Sequence, residues 1–141
     1  MPTASYNKFN SFVEALAEKA HNLGTDTIAV ALTNTLPVAT NTVLANITEI
    51  AYTNLASNPT SRQFTALTSS QTSGTYTLDF ADFTLTASGG ALPTFRYVVF
   101  YNDTATSDEL IAWFDYGAAV DLADGESLDI NFNASGFFTL A

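Results

Sequence analysis

His21 is the only histidine in the chain and therefore the only side chain that a Ser-His-Asp triad could use as its general base. It lies near the end of a helix-like stretch, and the sequence contains no G-x-S-x-G nucleophile elbow. A protonated imidazole at a helix C-terminus also interacts favourably with the helix dipole. The pattern therefore favours a structural histidine over a catalytic one.

Two groups of carboxylates have spacings that resemble known sites. Calcium prefers oxygen ligands, and one stretch of nine residues carries four acids: Asp121, Asp124, Glu126 and Asp129. Their spacing differs from that of an EF-hand loop, and Asp124-Gly125 is typical of a turn, so this stretch indicates a solvated turn. Asp79 and Asp82 could imitate the carboxylate pair of a glycosidase. They flank a short break between two predicted strands, which favours outward-facing sheet residues.

Four aromatic side chains could form a platform that stacks on sugar rings: Trp113, Tyr97, Tyr101 and Tyr116. Aromatic residues at strand spacing are more typical of a core or an interface. Arg96 lies among apolar neighbours on the same predicted strand as two of these tyrosines, and a guanidinium in such surroundings needs a carboxylate. Asp115 on the paired strand is the predicted partner.

Other elements of catalytic chemistry are absent from the sequence. There is no cysteine, and we find no phosphate loop, dinucleotide fingerprint, metal-binding motif or nucleophile elbow. We therefore predict no catalytic, cofactor-binding or metal-binding residues, and a protein that is not an enzyme.

The amino-acid composition indicates which kinds of molecule the protein can bind. Fourteen acids against Lys8, Lys19, Arg62 and Arg96 give a net charge of −10. Nucleic acids and anionic membranes both require clustered cations, so neither is expected as a direct partner. Charged residues make up 13% of the chain, about half the usual share of ~25%. A surface so poor in charge is typical of a protein that lies against another protein.

Length and hydropathy predict one domain over residues 1–141. The first residues lack the basic start and apolar core of a signal peptide, and no apolar run reaches the ~18 residues of a membrane span. We expect a soluble protein that is made in the cytoplasm.

One helix is predicted, over residues 6–23. Its apolar residues recur at three- and four-residue steps: Phe9, Phe12, Val13, Leu16, Ala20 and Leu23. Ser5 or Thr3 would cap its start, and Gly24 would end it.

The remaining pattern is that of strands. Phe95 to Tyr116 predicts a central hairpin whose turn is NDTATSD and whose strands are apolar on both faces. Further strands are predicted at Thr27 to Thr33, Phe64 to Ser69, Thr75 to Phe80, Phe83 to Ala87, Ser127 to Asn133 and Phe137 to Leu140. The fold class is mainly β: an antiparallel β-sandwich or jelly roll with one N-terminal α-helix.

Two features predict contacts with other subunits. Strands that are apolar on both faces need cover on both sides, which indicates a homo-oligomer, a trimer in our interpretation. Residues 34–62 form an unpatterned stretch that is too long for a simple connection, so we expect this segment to reach a partner.

Three segments of the chain together resemble a known group of proteins. They contain "DTIAVALTNT" after the helix, "TASGG…FRYVVFYND" along the central strand, and "WFDYG…LADGE" at the following turn. Read with their flanking residues, these segments resemble small structural proteins of tailed phages and prophages. The likeness covers nearly the whole chain and is least characteristic between about residues 40 and 68.

The resemblance implies a virion component. It implies in particular a capsid decoration (cement) protein on the outer surface of the head, whose partners are the major capsid protein and further copies of itself. The alternative is a tail or fibre component that acts as a binding module for host-surface glycans. The resemblance assigns no residue a role.

Overall fold

The structure is a computed structural model that describes residues 4–141; Thr3, one of the two predicted helix caps, lies outside this range. The chain is mainly β with antiparallel sheets, as predicted. Its elements in chain order are β1 (Asn7–Lys8), α1 (Phe12–Ala17), β2 (Ile28–Thr33), β3 (Gln63–Phe64), β4 (Thr68–Thr72), β5 (Thr75–Asp79), β6 (Phe83–Thr86), β7 (Leu92–Asn102), β8 (Leu110–Leu122), β9 (Ser127–Ile130) and β10 (Phe138–Leu140).

The strands form three sheets. The largest has the order β1-β8-β7-β2-β3, and the smaller ones have the orders β10-β5-β4 and β6-β9. One face of the large sheet and residues of both small sheets share the main hydrophobic core, which includes Val30, Phe100, Leu78 and Leu85. The more specific assignment to a sandwich or jelly roll stays a prediction.

The predicted helix over residues 6–23 is too long. Asn7 and Lys8 pair with Trp113 and Ala112 as strand β1, and the α-helix covers Phe12–Ala17. Phe9 is fully buried and packs against Trp113, whereas Phe12 belongs to the main core. The two phenylalanines thus lie in different hydrophobic clusters, although their spacing fits one helical stripe. Ser11, not Ser5, is the residue at the helix N-cap.

The central hairpin is confirmed and is longer than predicted. In the register of β7 and β8, Val99 lies opposite Trp113 and Val98 opposite Phe114. In the turn, the Asn102 side-chain oxygen accepts hydrogen bonds from the backbone N–H groups of Thr104 (2.9 Å) and Ala105 (3.1 Å). This is the self-bonding of a short polar side chain that favours turns.

The second face of the large sheet is covered by the same chain. Leu44 and Ile47 pack against a cluster that contains Val99, Tyr101 and Leu110. Backbone hydrogen bonds hold this cover in place, from Leu44 N–H to the Asp108 carbonyl (3.0 Å) and from Leu110 N–H to the Thr42 carbonyl (3.0 Å). The premise that this face needs a neighbouring subunit is therefore wrong. The trimer itself stays a prediction.

Residues 48–62 also complete the free edge of β2, since β3 pairs only with its first two residues. The Leu32 N–H donates to the Tyr52 hydroxyl (2.9 Å), and the Leu32 carbonyl accepts from Ile50 N–H (2.9 Å). The Arg62 guanidinium donates to the Val30 carbonyl (2.6 Å) and lies over the Tyr52 ring at 3.9 Å. An irregular segment thus performs the role of an edge strand.

The predicted strand Phe64 to Ser69 is interrupted. Its first part is β3 and its second part belongs to β4, whose residues are all exposed. On the other side of β5, Gly136 lies against the Leu78 carbonyl: a Cβ at residue 136 would be 2.9 Å from that oxygen, and its φ of +98° favours glycine. Among residues 4–141, no helix is long and apolar enough to cross a bilayer.

Candidate functional site

His21 is buried in a polar cluster that fixes its tautomer. The Asn102 oxygen accepts two backbone hydrogen bonds, so its amide nitrogen faces His21 Nδ1 (3.0 Å) and Asp26 Oδ2 (2.6 Å). Nδ1 is therefore an acceptor, and the proton of the neutral ring lies on Nε2. Nε2 is enclosed and has no hydrogen-bond partner among the described residues.

Burial lowers the pKa of His21, against the opposing charges of Glu109 and Asp26. A ring that is kept neutral with one nitrogen occupied and the other enclosed has no nitrogen with which to accept a proton from a nucleophile. The cluster joins the segment after α1 to the end of β7. We interpret His21 as structural.

The four acids of the predicted turn are engaged separately. Asp121 accepts a short hydrogen bond from the Thr94 hydroxyl, Asp124 accepts from Gly89 N–H (2.9 Å), and Asp129 accepts from the Thr84 hydroxyl (2.7 Å). Glu126 is exposed. Within residues 4–141, no group of three or more histidine, cysteine or acidic residues could hold a metal ion.

Asp79 and Asp82 also have different surroundings. Asp82 accepts a hydrogen bond from the backbone N–H of Phe132 (2.7 Å) and thereby fixes the chain after β9. Asp79 ends β5 opposite Thr68, and its Oδ1 is buried without a hydrogen-bond partner among the described residues. The structure records no contact between the two carboxylates, so the glycosidase comparison gains no support.

The four aromatic residues do not form one platform. Tyr97 and Tyr101 are buried, and Trp113 packs against Phe9 with ring centroids 4.7 Å apart. Tyr116 belongs to the opposite face, where it packs on the main core. A sugar-binding surface of the predicted kind is therefore not assembled.

The predicted pair of Arg96 and Asp115 is confirmed. Arg96 Nε lies 2.8 Å from Asp115 Oδ1, and Nη2 lies 3.0 Å from Oδ2, which is a two-pronged contact. The Arg96 guanidinium and the Gly117 N–H hold the pKa of Asp115 below its usual range. The pair lies at the surface between β7 and β8 and has a structural role.

A cavity of about 430 Å3 that the sequence did not predict lies beside the main core. Its wall includes six aromatic residues: Tyr6, Phe100, Phe114, Tyr116, Phe132 and Phe137. Burial raises the pKa of Tyr6 to about 12. The alternating pattern of β7 and β8 indicates which of their residues share this face. The other residues of the wall come from segments that have no common sequence pattern.

A second feature is a set of three exposed apolar side chains on adjoining segments, Val13, Leu36 and Val38, which we call the apolar patch. Their side chains are 52%, 60% and 54% exposed. The hydrogen bond from Asn10 N–H to the Ala39 carbonyl (2.9 Å) joins the segment that carries Leu36 and Val38 to the residues before α1. Single exposed apolar residues are common, but several on adjoining segments are typical of an interaction surface.

Neither models of protein families nor curated proteins nor solved structures match this chain. The cavity and the apolar patch are therefore interpreted from their own geometry.

Proposed function

We propose that this chain is a structural protein of a tailed-phage virion, a capsid decoration protein that binds the outside of the head and stabilises it. The observation that carries the proposal is the apolar patch on a surface poor in charge. It supplements the resemblance of the three sequence segments to phage structural proteins.

Two of the three patch residues, Leu36 and Val38, lie on the long segment for which a partner contact was predicted. Before residue 48 that segment has an inner and an outer part: Leu44 and Ile47 face inward onto the sheet, while Leu36 and Val38 face solvent. The inner part anchors the outer part on a buried cluster. An anchored loop with apolar side chains at its exposed end loses little conformational freedom on binding, which favours stable docking.

The partners in this proposal are the major capsid protein and further copies of the chain, arranged as a homotrimer on the capsid surface. Trimers suit the local threefold positions of an icosahedral shell, and closed cyclic symmetry is usual for homo-oligomers. The protein would be made in the cytoplasm of a bacterial host and would act in the virion. Contacts with nucleic acid or a membrane have no part in it, given the net charge of −10.

The alternative, a tail or fibre component that binds host glycans, depended on the aromatic platform. Because Tyr97 and Tyr101 are buried, that platform does not favour it. The alternative therefore stands second.

Quantitative mass spectrometry of purified phage particles tests the proposal. A head decoration protein should be present in hundreds of copies, a tail-tip protein in a handful. Light scattering of the pure protein tests the trimer.

The patch is tested by a double variant, Leu36→Asp with Val38→Asp, added to heads that lack the protein. We expect the variant to fold normally and to fail to bind the heads. Leu67→Asp is the matched control, since Leu67 is 67% exposed on a different segment, before β4. Wild-type occupancy of the double variant, or a handful of copies per particle, would contradict the proposal.

A further inference from the structure

The buried cluster of His21, Asn102 and Asp26, which we call the histidine cluster, lies where the turn between β7 and β8 meets the segment that follows α1. Asn102 ends β7, and its side-chain oxygen holds the turn through the N–H groups of Thr104 and Ala105. Its amide nitrogen donates to Asp26 Oδ2 and faces His21 Nδ1. One side chain therefore holds the turn and the segment after α1 together.

Further hydrogen bonds join the same turn to the same segment. The Thr27 N–H donates to the Thr104 hydroxyl (2.9 Å), and the Asp103 N–H donates to the Thr27 carbonyl (2.9 Å). Four of the five residues from 103 to 107 are exposed, so the turn buries little apolar surface. Segments with exposed hydrogen bonds and few buried apolar contacts open more easily than a sheet core. The turn can therefore separate from the segment without unfolding of the sheet.

A protonated His21 ring would not fit this cluster, because it carries an N–H group on both nitrogens. At Nδ1 that group would face the amide nitrogen of Asn102, which is also a donor, across 3.0 Å. Rotation of the amide would remove this conflict, but it would turn the amide nitrogen towards the N–H groups of Thr104 and Ala105. Nε2 is enclosed without a partner among the described residues, so neither N–H of the charged ring would have an acceptor.

Charged and titratable groups face His21 from several elements. Asp26 follows α1 and Glu109 precedes β8, and both carboxylates favour the protonated ring. Lys19, which lines the same hollow as His21, disfavours it, and Tyr76 of β5 adds a phenol ring to that hollow. Neither carboxylate forms an ion pair with the ring among residues 4–141. Burial outweighs their charges and lowers the pKa of His21, so the closed cluster holds the neutral ring.

We propose that the histidine cluster is an acid-sensitive switch: protonation of His21 releases the turn between β7 and β8 from the segment that follows α1, while the sheet stays folded. In the open form the ring is exposed to water and has its ordinary pKa of about 6.5. The closed form is therefore fully stable above a pH of about 6.5 and loses stability as the pH falls below that value. Since opening takes up one proton, the ratio of open to closed molecules should then rise by up to about tenfold per pH unit.

NMR of the full chain tests the switch directly. His21 is the only histidine, so the signals of its ring nitrogens identify themselves, and at pH 7 they should show the proton on Nε2. Amide hydrogen exchange, corrected for the intrinsic rate, should show that the protection of Thr27, Asp103 and Thr104 falls by up to about tenfold between pH 6 and pH 5. Val99, in the middle of β7, should stay better protected than the turn at each pH, because it exchanges only when the sheet unfolds.

Two variants separate the effect of His21 from that of the carboxylates. His21→Gln has no group at residue 21 that titrates in this range, so the protection of the turn should be the same at pH 6 and pH 5. Glu109→Gln is the matched control, since it removes a carboxylate that acts on His21 and keeps an oxygen for the Ser107 N–H. It should retain the loss of protection that the wild type shows. Thermal melts check that both variants fold.

A neutral ring with its proton on Nδ1 would overturn the inference, as would protonation of the ring with no loss of protection in the turn. Both results are read from the wild type and do not require a variant to fold. An equal acid response in His21→Gln would assign the response to another group, such as Asp26, and would also overturn it. Equal protection of Val99 and Thr104 at pH 5 would do the same, because the sheet would then unfold with the turn. These measurements use the isolated protein, and their outcome is independent of the proposed role in the virion.

Discussion

Replacement of Arg62 by alanine should strongly destabilise the protein. Arg62 is 8% exposed, and its guanidinium donates to the Val30 carbonyl (2.6 Å) and to the Asn58 side-chain oxygen (2.9 Å). Hydrogen bonds to charged groups contribute about 1.5–3 kcal/mol, and a buried acceptor left without its donor adds to the loss. The contact with the Tyr52 ring contributes about 0.5–2 kcal/mol more. We expect the free energy of unfolding to fall by about 3–5 kcal/mol, a large part of the total of a small domain.

Urea unfolding followed by tryptophan fluorescence measures this change. Trp113 is the only tryptophan and packs on the cluster that Leu44 and Ile47 cover, so its emission reports on both the sheet and its cover. Arg96→Ala is the matched control, since it removes an arginine that pairs with Asp115 at the surface. The reasoning is refuted if Arg62→Ala costs less than about 1 kcal/mol, the scale of one ordinary hydrogen bond, or if both variants lose the same amount.

Three further predictions concern other parts of the chain. Phe9→Ala and Phe12→Ala should each cost about 3–5 kcal/mol, and only Phe9→Ala should shift Trp113 emission; a shift in both would place the rings in one cluster. The pKa of His21 in the folded protein lies below its ordinary 6.5, so the free energy of unfolding should fall between pH 7 and pH 5. Urea melts at the two pH values should show a smaller fall for the His21→Gln variant. In an ultraviolet titration the wild type should show a tyrosine that ionises near pH 12, and this transition should be missing in the Tyr6→Phe variant. The free energy of unfolding should decline above pH 10, because Tyr6 ionises at a lower pH in the unfolded chain than in the folded protein.

Local periodicity was enough to predict most of the strands. Ile28, Val30 and Leu32 alternate with residues of the opposite face, and the central hairpin shows the same period of two. Such patterns reflect burial on a sheet face, which each short segment encodes by itself. The pair of Arg96 and Asp115 could be predicted because a hairpin fixes which residues of its two strands lie near each other.

The rest depended on tertiary contacts that no periodicity records. Phe9 and Phe12 have helical spacing, yet the chain turns between them, so they enter clusters on opposite faces of the sheet. Leu44 and Ile47 cover that sheet from a segment without a regular pattern. The wall of the cavity combines Tyr6 with residues near 114 and 137, which only the complete fold brings together.

The exposed strand β4 has a consequence for the behaviour of concentrated solutions. It pairs with β5 on one side, and no strand of residues 4–141 lies on its other side in the sheet. Its residues are Thr68, Ser69, Ser70, Gln71 and Thr72, so the open edge carries none of the charges that commonly keep such edges apart. At neutral pH the net charge of −10 keeps molecules separated. Near the isoelectric point of about 4.1 the net charge approaches zero and the repulsion between molecules is lost. We expect β4 to be able to pair with the edge strand of another molecule under these conditions. We therefore expect the pH of the solution, through the net charge, to decide whether molecules associate at the β4 edge.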